Sequence, residues 1–262
     1  YMDNIEKIKK LKEEKNAIIL AHYYVDEEVQ KIADYIGDSF YLAKVAIQTE
    51  ADRIVFAGVE FMGESAKILN PNKKVLMPDA FADCPMAHMI TIKEIKEMRE
   101  KYDDLAVVCY INSTAEIKQY ADVCVTSSNA VKIVKALPQK NIFFIPDQNL
   151  GDFVRKQVPE KNVMTNYGHC PRHTNITLDK LNEAKQKYPE AKIAVHPECK
   201  REIVEAADFV GSTSAIIDYV VQTNAKDFII GTVDGVFAKI KELAPNKNLH
   251  TIMDVQVCPN MK

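Results

Sequence analysis

No apolar run approaches the roughly 18 residues that a membrane-spanning helix needs, so the sequence offers no such helix. Glycine is scarce, with 8 in 262 residues, and no stretch is rich in Pro or Ser. A flexible linker between folded parts is therefore not expected. Charge of one sign is also missing: 34 Lys+Arg against 37 Asp+Glu leaves a net −3. That balance argues against a polyanion-binding surface and hence against a nucleic-acid partner. The opening YMDNIEKIKKLKEEK lacks the apolar core of a secretory signal, so the six cysteines are expected as thiols in a reducing, cytoplasmic compartment. No C-x-x-C pair occurs, so the usual ligand pattern of structural zinc is absent too. What is present is 47% hydrophobic and 27% charged residues, a globular composition long enough to bury a core.

Short Val- and Ile-rich runs alternate with helical stretches along the chain: 16–22, 53–59, 105–111, 141–147, 192–197 and 227–233. Runs this short, without strict alternation, read as buried parallel strands of an α/β fold. The chain also repeats itself. Strands ending at AHYYVDEE, CYINSTAE and VHPECKRE are each followed by an Asp and, five positions on, a hydroxyl: Asp34 and Ser39, Asp122 and Ser127, Asp208 and Thr213. Each segment ends in a Cys-Pro, at Cys84, Cys170 and Cys258. His22, Tyr110 and His196 are 88 and 86 residues apart, as are the three hydroxyls, while the cysteines lie 86 and 88 apart. Four marks holding one register three times predict three domain-sized repeats, 1–84, 85–170 and 171–262.

Each mark suggests chemistry. Ser39, Ser127 and Thr213 read as helix N-caps, and three equivalent helix N-termini facing one centre would hold small anions such as carboxylate or phosphate. His22, Tyr24, Tyr110, Asn112, His196 and Glu198 lie at or just past strand C-termini, where α/β sheets bind ligands. The set supplies acids, bases and neutral donors for proton transfer. Among the cysteines, Cys109 and Cys124 read as small buried hydrophobes, and Cys199 adjoins the expected site without a clear assignment. Cys84, Cys170 and Cys258, one per repeat, suit three irons of a [4Fe–4S] cluster, with the fourth iron open to act as a Lewis acid.

Taken in order, the motifs AHYY, IADYIGDS, FAGVEFMGESAKILNP, CPMA, YINSTAEIK, ADVCVTSSNA, PDQNLG, GHCPRH, HPEC, ADFVGSTS and CPNM resemble the quinolinate synthase A family of NAD biosynthesis from about Ile5 to Lys262. The resemblance implies three αβα domains, each of three layers, related by pseudo-threefold symmetry around a central active site. It also implies a [4Fe–4S] cluster on Cys84, Cys170 and Cys258, and condensation of iminoaspartate with dihydroxyacetone phosphate to quinolinate, phosphate and two waters. In that family's pattern His22 and His196 match substrate-contacting histidines, and Ser39, Ser127 and Thr213 match anion-binding hydroxyls. Tyr24 and Glu198 match acid/base residues, Tyr110 and Asn112 a substrate-binding pair, and His173 a further site histidine. L-aspartate oxidase or aspartate dehydrogenase is the metabolic supplier that such an activity implies.

Two departures from the pattern stand out. Where the family reads Gly-Thr-Glu, this chain has Gly231-Thr232-Val233 followed by Asp234. Relatives also continue into a helical tail beyond the last cysteine segment, so a loose end at Cys258 is expected. Two other functions fit the residues: an iron–sulfur hydro-lyase acting on a small dicarboxylate, and a non-catalytic iron–sulfur sensor. The sensor would need none of His22, Tyr24, His196 and Glu198. Oligomeric state leaves no mark in the sequence.

Overall fold

The computed structural model describes residues 2–262, with side chains from Asn4 onward. The described residues form two compact units: the chain up to Cys84 together with Cys258–Lys262, and Pro85–Val257. The first unit contains one parallel sheet of β1 (Ala17–His22), β2 (Tyr35–Gly37), β3 (Arg53–Ala57) and β4 (Lys74–Leu76), in the order β2-β1-β3-β4. The end at Cys258 is not loose. Asn260 Nδ2 donates to Asp83 O at 2.7 Å, Lys262 N–H donates to Gly58 O at 3.4 Å, and Met261 packs on Ala21, Val25 and Ala57.

The second unit carries two sheets of the same design. One contains β5 (Leu105–Tyr110), β6 (Val123–Val125), β7 (Asn141–Ile145) and β8 (Asn162–Thr165), ordered β6-β5-β7-β8. The other contains β9 (Lys192–Val195), β10 (Phe209–Val210), β11 (Asp227–Gly231) and β12 (Asn248–Thr251), ordered β10-β9-β11-β12. Every pairing is parallel. The inner strands are the apolar runs of the sequence, because helices cover both sheet faces and leave no polar side. Leu105–Tyr110 is buried along its whole length, and Phe144 and Phe228 are among the largest fully buried side chains. The edge strands have only two to four residues and are partly exposed, so they left no apolar run to read.

The repeat marks have structural reasons. Asp34, Asp122 and Asp208 each accept the backbone N–H of the neighbouring inner strand, at Ile19 (2.7 Å), Val107 (2.7 Å) and Ile193 (2.8 Å). Each also returns its own N–H to that residue's carbonyl at 2.9 Å. A cation completes each bridge: Lys12, Arg99 and Lys192. A further mark was overlooked in the sequence. Lys73, Lys161 and Lys247, again 88 and 86 apart, donate Nζ to the carbonyls of Thr49, Leu137 and Thr223, the C-cap residues that follow the helices Ser39–Gln48, Ala130–Ala136 and Thr213–Gln222. There a cation meets both orphan acceptors and the negative end of the helix.

The hydroxyls do not cap these helices as expected. Asp38 and Ser212 are the N-caps, their side chains accepting from Tyr41 N–H and Ala215 N–H. Ser39 and Thr213 are therefore first helical residues, while Ser127 sits in the turn before Asn129 and the helix Ala130–Ala136. An N-cap needs an extended backbone so that its side chain can reach back, and the residue before each helical hydroxyl has that conformation, with ψ of 173° at Asp38 and 167° at Ser212.

The bridge at Asp208 is directly testable. Burial pushes its carboxyl up, but the Ile193 N–H and the Lys192 ammonium outweigh that and hold it below the usual range. Stability from a depressed carboxyl is present above the ordinary value of about 4 and lost as pH falls through the lower folded value. Asp208→Ala, which leaves the Ile193 N–H unpaired, should cost about 1–3 kcal/mol at neutral pH. Asp208→Asn should flatten the acid limb of a melting temperature against pH curve below about pH 4.

Candidate active site

In the second unit the C-terminal ends of β5, β9 and β11 lead into one buried polar cluster. Strand β5 ends on Tyr110, whose hydroxyl donates to Glu198 Oε1 at 2.6 Å. Glu198 follows β9 by three residues and is 3% exposed. Its other oxygen, Oε2, takes His173 Nδ1 at 2.7 Å. His173 lies in the short helix Pro171–Thr174, for which Cys170 is the N-cap residue, and its Nδ1 is also 3.2 Å from Cys170 Sγ. His173 Nε2 meets Thr232 Oγ1, just past β11, at 2.9 Å. His196 stacks on His173 with centroids 4.8 Å apart and reaches Ser127 Oγ through Nε2 at 3.3 Å.

The electrostatics follow from burial. Removing Glu198 from water raises its carboxyl, but the charges of His196 and His173, with hydrogen bonds from His173 and Tyr110, outweigh that cost and hold it ionised. Asp147 caps the helix Gln148–Gln157, accepting from Asn149 and Leu150 N–H at 2.8 Å each. Its burial, and the Glu198 charge nearby, push its carboxyl well up against those hydrogen bonds. Asn149 in turn donates to Glu198 O at 3.1 Å and Thr174 Oγ1 at 3.3 Å, so this helix braces both the glutamate and the segment after Cys170. A side chain at Gly168 would place its Cβ 2.1 Å from Pro146 O, so only glycine lets the loop before Cys170 pass.

In the first unit, His22 ends β1 and is 4% exposed. Its Nδ1 accepts Tyr24 N–H at 3.1 Å, as His196 Nδ1 accepts Glu198 N–H at 3.3 Å. The shared turn places a backbone N–H donor at Nδ1 of each ring, so whenever a ring is uncharged its proton stands on Nε2. The Tyr24 ring meets His22 edge-on at 4.5 Å.

The structure thus unites Tyr110, Ser127, Cys170, His173, His196 and Glu198 in the second unit. Thr213 there is buried at a helix start, and Asn112 has a buried Oδ1 with no hydrogen-bond partner among the described residues. His22, Tyr24, Ser39, Cys84 and Cys258 belong to the first unit. Sequence reading missed Thr232, Asp147 and Asn149. Their motifs, Gly231-Thr232 and PDQNLG, were visible without any role attached. Cys199 is a core thiol: it is 1% exposed, donates to Gly231 O, and is pushed up by burial and the Glu198 charge. Cys109 is buried as expected, but Cys124 is exposed, because it lies on the edge strand β6. Val233 is buried in place of the family's Glu. Asp234 takes the following turn, its N–H bound to Gln256 O at 3.0 Å.

The family model described as quinolinate synthetase A protein matches residues 6–262. The chain belongs to the quinolinate synthetase A family. Among curated relatives, the quinolinate synthase of Fusobacterium nucleatum is 60% identical over 257 residues, covering 98% of this chain and 86% of the relative. That of Caldicellulosiruptor saccharolyticus is 52% identical over 263 residues, covering 99% and 87%. The Aquifex aeolicus quinolinate synthase is 52% identical over 242 residues, covering 92% and 75%. Membership in this family accords with the three parallel four-stranded sheets.

Cys170, His173 and Glu198 offer ligand atoms that all lie within 4.8 Å of one another. Breaking this buried group has a predictable cost. Glu198→Ala strands two buried histidines and should destabilise the protein by about 3–5 kcal/mol. Tyr110→Phe removes one hydrogen bond to a charged group and should cost about 1.5–3 kcal/mol. Denaturant midpoints of the two variants check both values and their order.

Proposed function

We propose that this chain is a quinolinate synthase that condenses iminoaspartate with dihydroxyacetone phosphate, giving quinolinate, phosphate and two waters. The observation that carries the reading is the buried Tyr110–Glu198–His173 constellation beside Cys170, in a chain 60% identical to a quinolinate synthase over almost its whole length. A non-catalytic sensor has no use for an ionised glutamate held in this way.

The three repeat cysteines fit an iron–sulfur cluster. None of the six cysteines forms a disulfide, and Cys84, Cys170 and Cys258 are each half-buried. The Asn260–Asp83 hydrogen bond ties the Cys258 segment to the Cys84 segment, while Cys170 stands next to the acid/base residues. Thiolates are the ligands that such clusters prefer. We assign Cys84, Cys170 and Cys258 to a [4Fe–4S] cluster, which, when bound, supplies a Lewis acid for a substrate hydroxyl or carboxylate at the iron without a cysteine.

The chain's own residues handle protons and anions. Glu198 Oε1 and Oε2 hold the Tyr110 and His173 protons in fixed positions, ready for the two dehydrations. His196 and His22, each with Nδ1 occupied by a backbone N–H, present Nε2–H as the donor of a proton or hydrogen bond. Tyr24 serves as a second phenolic acid beside His22, and Asn112 uses its Oδ1 to accept a substrate hydrogen bond. Ser39 and Thr213, in the first turns of ten-residue helices, together with Ser127, bind the carboxylates and the phosphate.

This reading takes 1–84, 85–170 and 171–262 as three domains sharing one central site. It also implies an upstream enzyme, L-aspartate oxidase or aspartate dehydrogenase, and a reducing cytoplasm that protects the thiols. No described helix is long and apolar enough to cross a membrane.

Anaerobic reconstitution tests the reading. The intact protein should bind iron and sulfide, turn brown and form quinolinate from both substrates. Ser in place of Cys84, Cys170 or Cys258 should abolish the brown absorbance, while Cys109→Ser and Cys199→Ser should keep it. A cluster-loaded wild type that yields no quinolinate would sink the functional assignment.

A further inference from the structure

The residue just before His22, Tyr110 and His196 pairs with an edge strand in the same register in all three sheets. The pairs are Ala21 with Ile36, Cys109 with Cys124, and Val195 with Val210. Two repeats fill this place with apolar side chains and one fills it with two thiols. Paired residues of parallel strands project to the same face, about 4.8 Å apart, inside the Cα separation of about 4.4–6.8 Å that a disulfide spans. Cys109 is buried in the core, its Sγ 2.9 Å from Ser113 Oγ, while Cys124 is exposed. Strand β6 is a three-residue edge strand, paired on one side only, so it can be drawn inward at small cost.

We propose that Cys109 and Cys124 form a redox-active dithiol that closes reversibly to a cross-strand disulfide and thereby slows the adjacent active site. Neither residue belongs to the cluster or to the acid/base set. Cys124 is the attacking group: a hydrogen bond from Cys109 and the charge of Lys118 outweigh the partial shielding of its sulfur and lower the thiol to about 7. A lowered thiol carries more thiolate near neutrality, and the thiolate is the attacking form. The oxidant class is a small-molecule disulfide. Cys124 thiolate attacks one sulfur of it, the S–S bond breaks, one small thiolate leaves, and a mixed disulfide forms on Cys124. Cys109 then attacks the Cys124 sulfur, expels the second small thiol and passes its proton to it. Two cysteine thiols lose two electrons and the small disulfide becomes two thiols. Closure acts on the site through the chain, since Cys109 directly precedes Tyr110. Cys124 lies three residues before Ser127, which meets His196.

The test uses cluster-loaded protein kept anaerobic and poised with glutathione disulfide and glutathione, then alkylated and digested. The expected result is a Cys109–Cys124 cross-linked peptide, unchanged cluster absorbance, and turnover that falls with the cross-linked fraction and returns on adding dithiothreitol. Cys124→Ser, at an exposed position, should remove both the cross-link and the redox dependence while leaving reduced-state turnover near wild type. A stable glutathione adduct on Cys124 with Cys109 still alkylated would overturn the dithiol. A full cross-link with unaltered turnover would overturn its action on the site. The slowing of turnover rests on the function proposed above, but the cross-link is read by mass. Absence of quinolinate formation in the reduced protein would therefore count against that function and not against the dithiol.

Discussion

A buried carboxylate is the constraint on which the site depends. Glu198 is removed from water, a cost that would protonate an isolated carboxyl. It stays ionised because Tyr110 and His173 each donate to one of its oxygens and His196 lies alongside. Those donors come from the ends of β5 and the loop after β8, with Thr232, past β11, fixing the far side of His173. His173 also sits against Cys170, so the position of a proposed cluster ligand and the charge of a proposed acid/base group are set by one constellation. Displacing any one of these strand ends leaves a buried charge or donor unmet.

The fold supplies such strand ends because one supersecondary design is used three times. In each repeat an aspartate bridges to the inner strand and a lysine closes the helix that follows. None of these residues belongs to the Glu198 cluster. They fix the register of the second strand against the first, and register decides which residue stands at the strand end. The matching turns at His22–Tyr24 and His196–Glu198, each closed by an N–H to Nδ1, follow from that register.

Much of this was legible in the residues. The inner strands announced themselves as apolar runs because both their faces are covered, and the repeat placed His22, Tyr110 and His196 at equivalent ends. The edge strands were not legible, being too short and too exposed to show a pattern. For the same reason Cys124, on β6, read as core and proved exposed. The helix hydroxyls were placed one residue late, since the capping role belongs to the extended residue before them, Asp38 and Ser212. Thr232 and Asp147 went unread because their parts depend on meetings across β-sheets that no local spacing encodes.

In the proposed function the ionised Glu198 carboxylate does chemistry as well as holding the site together. Glu198→Gln keeps the shape and removes the charge, so steady-state turnover of the anaerobically loaded variant is the most direct measurement. Intact iron and sulfide content with kcat lowered at least ~100-fold is the expected result. Near-normal kcat in a fully loaded Glu198→Gln protein would contradict it.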